Sequence, residues 1–151
     1  MACYSAIEKK GVTLSPGKTV EEALNVLKKS KAATASVIDD EGTFLGIFSM
    51  GILLKNLIPA PITTSNGVQI DMKIPAAPGV AKRLDRILSI NVSEVIERNP
   101  VKVLPDEPIW EAVGRLVAHC EPLCVIDENG KFMGLVTYES LINELNNSLK
   151  V

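Results

Sequence analysis

The sequence predicts an α+β protein made of two tandem β-α-β-β-α units related by a pseudo-twofold axis. Three observations predict it. The two halves of the 151-residue chain match one another in order. Each half runs from an apolar strand pattern to a helical one, then to two apolar strands around an acidic turn, then to a second helical pattern. Hydrophobic residues make up 46% of the chain but aromatics only 4%, so the core must be built from Val, Ile, Leu and Ala.

The repeat is the strongest of the three. "SAIEKKGVTLSPGKTVEEALNVL" matches "EVIERNPVKVLPDEPIWEAVGRL": Ile7 pairs with Ile96, Glu8 with Glu97, Val12 with Val101, Pro16 with Pro105, Ala23 with Ala112 and Leu27 with Leu116. After the loss of one residue, "ASVIDDEGTFLGIFSMGILLKNL" matches "LCVIDENGKFMGLVTYESLINEL". Here Val37, Ile38 and Asp39 recur as Val125, Ile126 and Asp127, Gly46 as Gly134, and Leu53 as Leu141. The division is residues 1–57, a connector 58–91, and residues 92–151.

The first strands are expected at Val12–Leu14 and Val101–Leu104. Thr19 and Glu22 form a T-x-x-E capping box, and Val20, Ala23, Leu24 and Leu27 share a helical face behind it. In the second copy Pro108 suits a first helical turn, followed by Ile109, Ala112, Val113, Leu116 and Val117 on the matching face. Each hairpin turns at an acidic, glycine-ended stretch; Asn129-Gly130 is the stronger signal. In the closing helices Leu53, Leu54 and Leu57, or Leu141, Ile142 and Leu145, are expected to face inward. In the connector, Asn66-Gly67 marks a turn, "VQIDMKI" alternates like a short edge strand, and "VAKRLDRILSI" has an apolar face through Val80, Leu84, Ile87 and Leu88.

Several function classes are excluded. Net charge is −2, and the one basic run, Ala81–Arg86, alternates with apolar residues as a solvated helix face does, so no nucleic-acid footprint is expected. No apolar run reaches membrane-spanning or signal-peptide length, so membrane insertion is not expected and the cytoplasm is the expected location. Three cysteines, Cys3, Cys120 and Cys124, do not suggest a disulfide framework, and "HCEPLC" lacks a second ligand pair at zinc spacing. His119 has no carboxylate or serine spaced to make it a base, and "PGKT" at 16–19 lacks the upstream glycine of a phosphate loop. No catalytic set and no metal site are expected. Trp110 is read as packing at an interface.

The ordered elements, found twice, resemble the CBS motif, and the tandem resembles a free-standing CBS pair, or Bateman module. That resemblance implies a flat, commonly dimeric disc with clefts between the paired motifs. The clefts bind adenosyl ligands such as AMP, ADP, ATP or S-adenosylmethionine as regulatory ligands rather than cofactors. It implies a regulatory role, read out by a partner protein not contained in this sequence, and no catalysis. The family's ligand signature is Gly-h-x-Thr/Ser-x-x-Asp, with h apolar. Here it gives Gly46, Ser49 and Ile52, then Gly134, Thr137 and Ser140. Both hydroxyls, which cap a helix and contact phosphate, are present; both ribose-holding aspartates are absent. A neutral hydrogen bond contributes about 1 kcal/mol, against about 1.5–3 for one to a charged group.

Further wall residues follow by position: Val12 and Thr13, or Val101 and Lys102, from the first strands, and Ala35 and Ser36, or Pro122 and Leu123, at the central ones. Lys102 is either a phosphate partner or a solvated strand-end lysine. Ser49 and Thr137 are helix caps and, compatibly, anion contacts. Two readings stay open: a ligand-sensing homodimer, with the second cleft the stronger, and a degenerate pair that binds no nucleotide and serves as a dimerising or interaction module.

Overall fold

The computed structural model describes residues 1–8, 11–57, 63–64, 67–68 and 77–150. The first half contains β1 (Val12–Leu14), α1 (Val20–Ser30), β2 (Thr34–Ile38), β3 (Phe44–Ser49) and α2 (Met50–Leu57). The connector carries β4 (Thr63–Thr64), β5 (Gly67–Val68) and α3 (Ala77–Leu88). The second half repeats the first as β6 (Lys102–Val103), α4 (Ile109–His119), β7 (Leu123–Ile126), β8 (Phe132–Val136) and α5 (Tyr138–Ser148). Each half forms a 3-stranded sheet, β1-β2-β3 or β6-β7-β8. The first pair in each is parallel and the second antiparallel.

Local chemistry fixes these elements. The expected capping box is present: Glu22 N–H donates to Thr19 Oγ1 at 3.2 Å and Thr19 N–H to Glu22 Oε1 at 3.2 Å. In α4, Pro108 is the N-cap and the helix starts at Ile109, one residue later than expected. Both hairpin turns are held by an aspartate. Asp39 Oδ1 accepts from the N–H of Glu41 and Thr43, and Asp127 Oδ1 from those of Asn129 and Lys131.

Each half has its own core, and strand alternation divides the residues between faces. Ala35 and Val37 of β2 join Val20, Ala23, Leu27 and Leu53 in the first core. Leu123 and Val125 of β7 join Ala112, Leu116 and Leu141 in the second. A third cluster lies between the halves, where buried Ile47, Cys124 and Leu135 meet Phe44, Ile52, Ile126 and Phe132. The repeat-related rings of Phe44 and Phe132 stack across this seam, 4.3 Å between centroids and 6° from parallel.

The halves also exchange their leading segments. Residues Cys3–Ala6 form a 3₁₀ turn whose Cys3 and Ala6 are buried in the second core. The Cys3 N–H donates to Glu107 O at 2.9 Å, and the Glu8 N–H to Leu135 O at 2.7 Å. The matching turn before the second half, Val92–Glu94, buries Val92 in the first core. There Ile47 N–H donates to Glu97 O at 3.1 Å and Glu97 N–H to Ile47 O at 2.9 Å.

Two features differ from the sequence expectation. Leu54, Ile142, Leu145 and Val117 face outward, at 61%, 62%, 36% and 72% exposure, because only the narrow stripes through Leu53, Leu141 and Leu116 reach the cores. The strand β6 is shorter than expected, Lys102–Val103. In the connector α3 is present and its Ala81–Arg86 run is mostly exposed, as expected of a solvated face, while Leu84, Ile87 and Leu88 pack on the first core. Asn66 and most of "VQIDMKI" lie outside the described residues.

The exchanged segments explain one glycine in each half. A Cβ on Gly46 (φ 159°) would sit 2.3 Å from Glu97 O, and one on Gly134 (φ 150°) 2.4 Å from Ile7 Cγ2. A carbonyl within a backbone bridge cannot retreat, whereas a side-chain methyl can rotate away. Gly46→Ala should therefore destabilise by roughly 3 kcal/mol and Gly134→Ala by less, read from urea midpoints. Gly17→Ala, with no atom within 4 Å of the new Cβ, should change stability by about 0.5 kcal/mol or less. Equal losses at Gly46 and Gly17 would contradict this account.

Candidate ligand site at the seam between the halves

Paired residues on neighbouring strands share a face. Thr13 pairs with Ser36, Ser36 with Ile47, and Thr34 with Ser49. Since Ile47 belongs to the seam cluster, Thr13, Thr34, Ser36 and Ser49 lie on the seam side of the first sheet. In the second sheet Lys102 pairs with Cys124 and Cys124 with Leu135, which puts Lys102 and Cys124 on the seam side. Pro122, two residues before Cys124, has the same parity. The structure thus gathers Thr13, Ser36, Ser49, Lys102, Pro122 and Thr137 around the seam.

Four of the expected wall residues are placed elsewhere. Leu123 is fully buried in the second core, facing away from the seam, and Val101 packs on that same core. Val101 still contributes a backbone group, since its C=O accepts from Cys124 N–H at 2.8 Å. The first-half counterparts Ala35 and Val12 behave likewise. The register makes Cys124, not Leu123, the twin of Ser36, and Thr34 the twin of Pro122. The sequence reading missed Thr34 and Cys124, although strict alternation away from core Val37 and Val125 would have found both.

At the strand-to-helix junctions both hydroxyls act as caps. Ser49 Oγ accepts from Ile52 N–H at 3.1 Å, and Thr137 Oγ1 from Ser140 N–H at 3.1 Å. Ser140 turns back on the cap: its Oγ accepts from Thr137 N–H at 2.8 Å and donates to Thr137 O at 3.2 Å, completing a capping box. Ile52 packs its side chain into the seam cluster. The two positions that lack aspartate therefore hold a helix cap and a hydrophobic contact.

Electrostatics around the seam are uneven. Burial pushes the Cys124 thiol up to about 12, against a smaller opposing pull from Lys102. Burial, and then the Glu139 carboxylate, raises the Glu8 carboxyl beside the start of α5. At the far end of β6 an open cavity of about 300 Å³ is walled by Lys102, Leu104, Glu107, Arg115 and Ile126. Of its two cationic residues Arg115 is committed: it bonds Glu107 at 2.8 Å and donates to Lys102 O at 2.8 Å. The Leu104 amide and then Arg115 hold the Glu107 carboxyl below its ordinary range. Among the described residues no group of three His, Cys, Asp or Glu is placed to hold a metal ion, and no helix is long and apolar enough to cross a membrane.

Two β-α-β-β-α units facing one another across a seam, each with a hydroxyl-capped helix at its edge, define a tandem-repeat module. The CBS domain model matches residues 5–59 and 92–147, and the chain belongs to the CBS domain family. An uncharacterized protein of Methanocaldococcus jannaschii is 23% identical over 92% of this chain and 88% of its own. A CBS domain-containing protein of Dictyostelium discoideum is 24% identical over 88% and 83%. Among solved structures, a CBS domain-containing protein of unknown function from Bacillus anthracis superposes with TM-score 0.70 at 18% identity, covering 97% of this chain and 94% of that one. The CBS-pair protein CBSX2 of Arabidopsis thaliana gives 0.70 at 19%, covering 98% and 94%. A structure of CBSX2 in complex with AMP gives 0.69 at 20%, covering 98% and 96%.

The thiols provide a check on the seam. At pH 8 a group with a pKa of about 12 is ionised in only about one molecule in ten thousand. Cys3 and Cys124 are buried and Cys120 is exposed. A disulfide-exchange reagent should label one thiol per native chain quickly, and Cys120→Ser should abolish that fast phase. Rapid labelling of Cys124 would show that the seam opens freely.

Proposed function

We propose that the chain is a non-catalytic regulatory module that binds an adenosyl nucleotide at the seam. The observation that carries this reading is the capping hydroxyl of Thr137, held where β8 meets α5 on the same side of the sheet as Lys102 and Pro122. Free N–H groups at a helix start favour an anion there. The likeness to CBSX2, whose structure was determined in complex with AMP, supports the same ligand class. The proposed contacts are Thr137, Ser140, Lys102, Pro122 and the Val101 backbone in the second cleft, and Ser49, Thr13 and Ser36 in the first. Leu123 acts by supporting the wall from the core. The motifs are residues 1–57 and 92–151, joined by 58–91, and the module works as a homodimer in the cytoplasm. The ligand favours one relative arrangement of the halves, and a partner protein reads that arrangement.

The second reading, a pair that binds no nucleotide, is favoured by Ile52, which fills the seam where a ribose acceptor would stand. Calorimetry and thermal melts with AMP, ADP, ATP and S-adenosylmethionine separate the two. Binding in the millimolar range or tighter is expected, with loss of affinity of at least tenfold on Thr137→Ala. That variant also loses a cap, so about 1 kcal/mol of stability should go with it, and its melt confirms that the fold persists. Silence from every ligand at millimolar concentration would leave the interaction-module reading.

A second substitution tests the ribose contact. An aspartate at position 140 can still accept from the Thr137 N–H, so the cap survives, and it restores a charged acceptor. Ser140→Asp should tighten binding of the adenosyl ligand about tenfold, measured by calorimetry. Unchanged or weaker binding would mean that the ribose does not lie at this position.

A further inference from the structure

The two sheets offer different chemistry to the seam. In the first, Thr34 pairs with Ser49 and Thr13 with Ser36, so hydroxyls lie side by side across three adjacent strands. Their counterparts in the second sheet are Pro122, Thr137, Lys102 and Cys124, and only Thr137 among them is an alcohol. The same framework does without the other three hydroxyls there, so the strands themselves do not require them. Ser36 is 3% exposed and Thr34 6%. Among the described residues neither takes part in the first half's side-chain hydrogen bonds. Among those residues, too, no side-chain oxygen is both sealed from solvent and unpaired, so both hydroxyls open on the space at the seam. Ser49 Oγ accepts from Ile52 N–H, which leaves its own proton to donate.

Charge separates the two sides further. The strands β1, β2 and β3 carry no ionisable side chain, whereas β6 brings Lys102 to the seam. We propose that the first-half cleft takes an uncharged polyhydroxyl group on Thr13, Thr34, Ser36 and Ser49, and that an anion is held only in the second. Such a group is the sugar ring of an unphosphorylated nucleoside or a free pentose. This rests on the reading of the seam as the ligand site and narrows what its first cleft accepts. A serine or threonine hydroxyl is one donor and two acceptors, and so is each hydroxyl of a sugar, so the two sets satisfy one another with neither ionised. A phosphate is chiefly an acceptor, and moving its charge from water to a wall without a cation is costly. Ile47 and Ile52 flank the hydroxyls with apolar surface for the carbon face of a ring. A buried hydroxyl without a partner disfavours the folded state, and a ligand hydroxyl that pairs with it recovers that loss on binding.

Calorimetry on the full chain with adenosine, ribose and AMP tests the assignment. Adenosine binding should weaken by about tenfold or more in a Thr34→Val, Ser36→Ala double variant and stay unchanged in Thr137→Ala, and AMP should show the reverse. Ribose that competes with adenosine identifies a free sugar as sufficient, and ribose without effect identifies the nucleoside; either result supports the proposal. Because the two hydroxyls hold no partner, the double variant should melt no lower than the native chain. A clear drop in its melting temperature would show that they serve the fold, and would overturn the proposal. AMP that displaces adenosine from the Thr137→Ala chain with equal affinity would also overturn it, since a phosphate would then lie against the uncharged wall. If adenosine is indifferent to the double variant while AMP is still lost on Thr137→Ala, the proposal fails and the nucleotide reading stands. No binding of any of the three at millimolar concentration sinks both.

Discussion

The structure depends on one reciprocal constraint: each half is closed by the segment that leads into the other. A unit of about 50 residues buries too small a share of its surface to be stable alone. Here the deficit is met by exchange. Cys3 and Ala6 complete the second core, Val92 and Val95 the first. The antiparallel bridge between Ile47 and Glu97 fixes one exchange, and Gly46 leaves room for it. Because each leading segment runs beside a seam strand, the arrangement of the halves and the integrity of each core are one problem rather than two.

The period of two along the strands then sorts residues by role. Odd and even positions of β2 and β7 point either to a core or to the seam, so Leu123 and Cys124 are neighbours with opposite fates. The seam itself is not uniform. Its centre is apolar through Ile47, Leu135, Ile52 and the stacked Phe44 and Phe132, while its edges carry Thr13, Ser36 and Ser49 on one sheet and Lys102 and Thr137 on the other. A planar ring suits the first environment and polar groups the second. The replacements of the two signature aspartates are not vacancies. Ser140 closes a capping box and Ile52 adds seam contact, so both positions contribute to stability.

Much of this was legible in the sequence because the repeat supplied an internal control. Strand and helix order, the Thr19–Glu22 box, the hairpin turns and α3 follow from patterns only a few residues long. What was not legible depends on non-local geometry. Helical periodicity alone cannot say how wide a buried stripe is, so Leu54, Ile142 and Val117 were expected inside. The repeat alignment already pairs Ala35 with Leu123 and Ser36 with Cys124, but the wall was placed at Pro122 and Leu123, and one residue on a strand is a change of face. The exchange of leading segments left its trace in the matching pairs Ile7–Ile96 and Glu8–Glu97. Their likeness shows that they do the same job without showing in which half they do it.

The placement of Thr137 and Tyr138 bears on how a regulatory pair could transmit its state. Thr137 closes β8 on the seam side, and Tyr138, the next residue, opens α5 and leans on the Leu116 carbonyl of α4 at 3.3 Å. A phosphate oxygen at the Thr137 hydroxyl would accept its proton while Oγ1 still accepts from the Ser140 N–H, which would tie the anion to the first turn of α5. That turn is packed against the last turn of α4, so a change in its cap reaches the outer face through one residue rather than through the core. Coupling between sites needs an element with two arrangements that both sites bias. The first turn of α5 meets the seam side through Thr137 and the last turn of α4 through Tyr138, so it touches both regions. In the first half the corresponding residue is Met50, the helix above it is charged at Lys28, and Ile52 ties the turn into the seam. The seam hydroxyl and the contact with α4 therefore fall on adjacent residues of the second half.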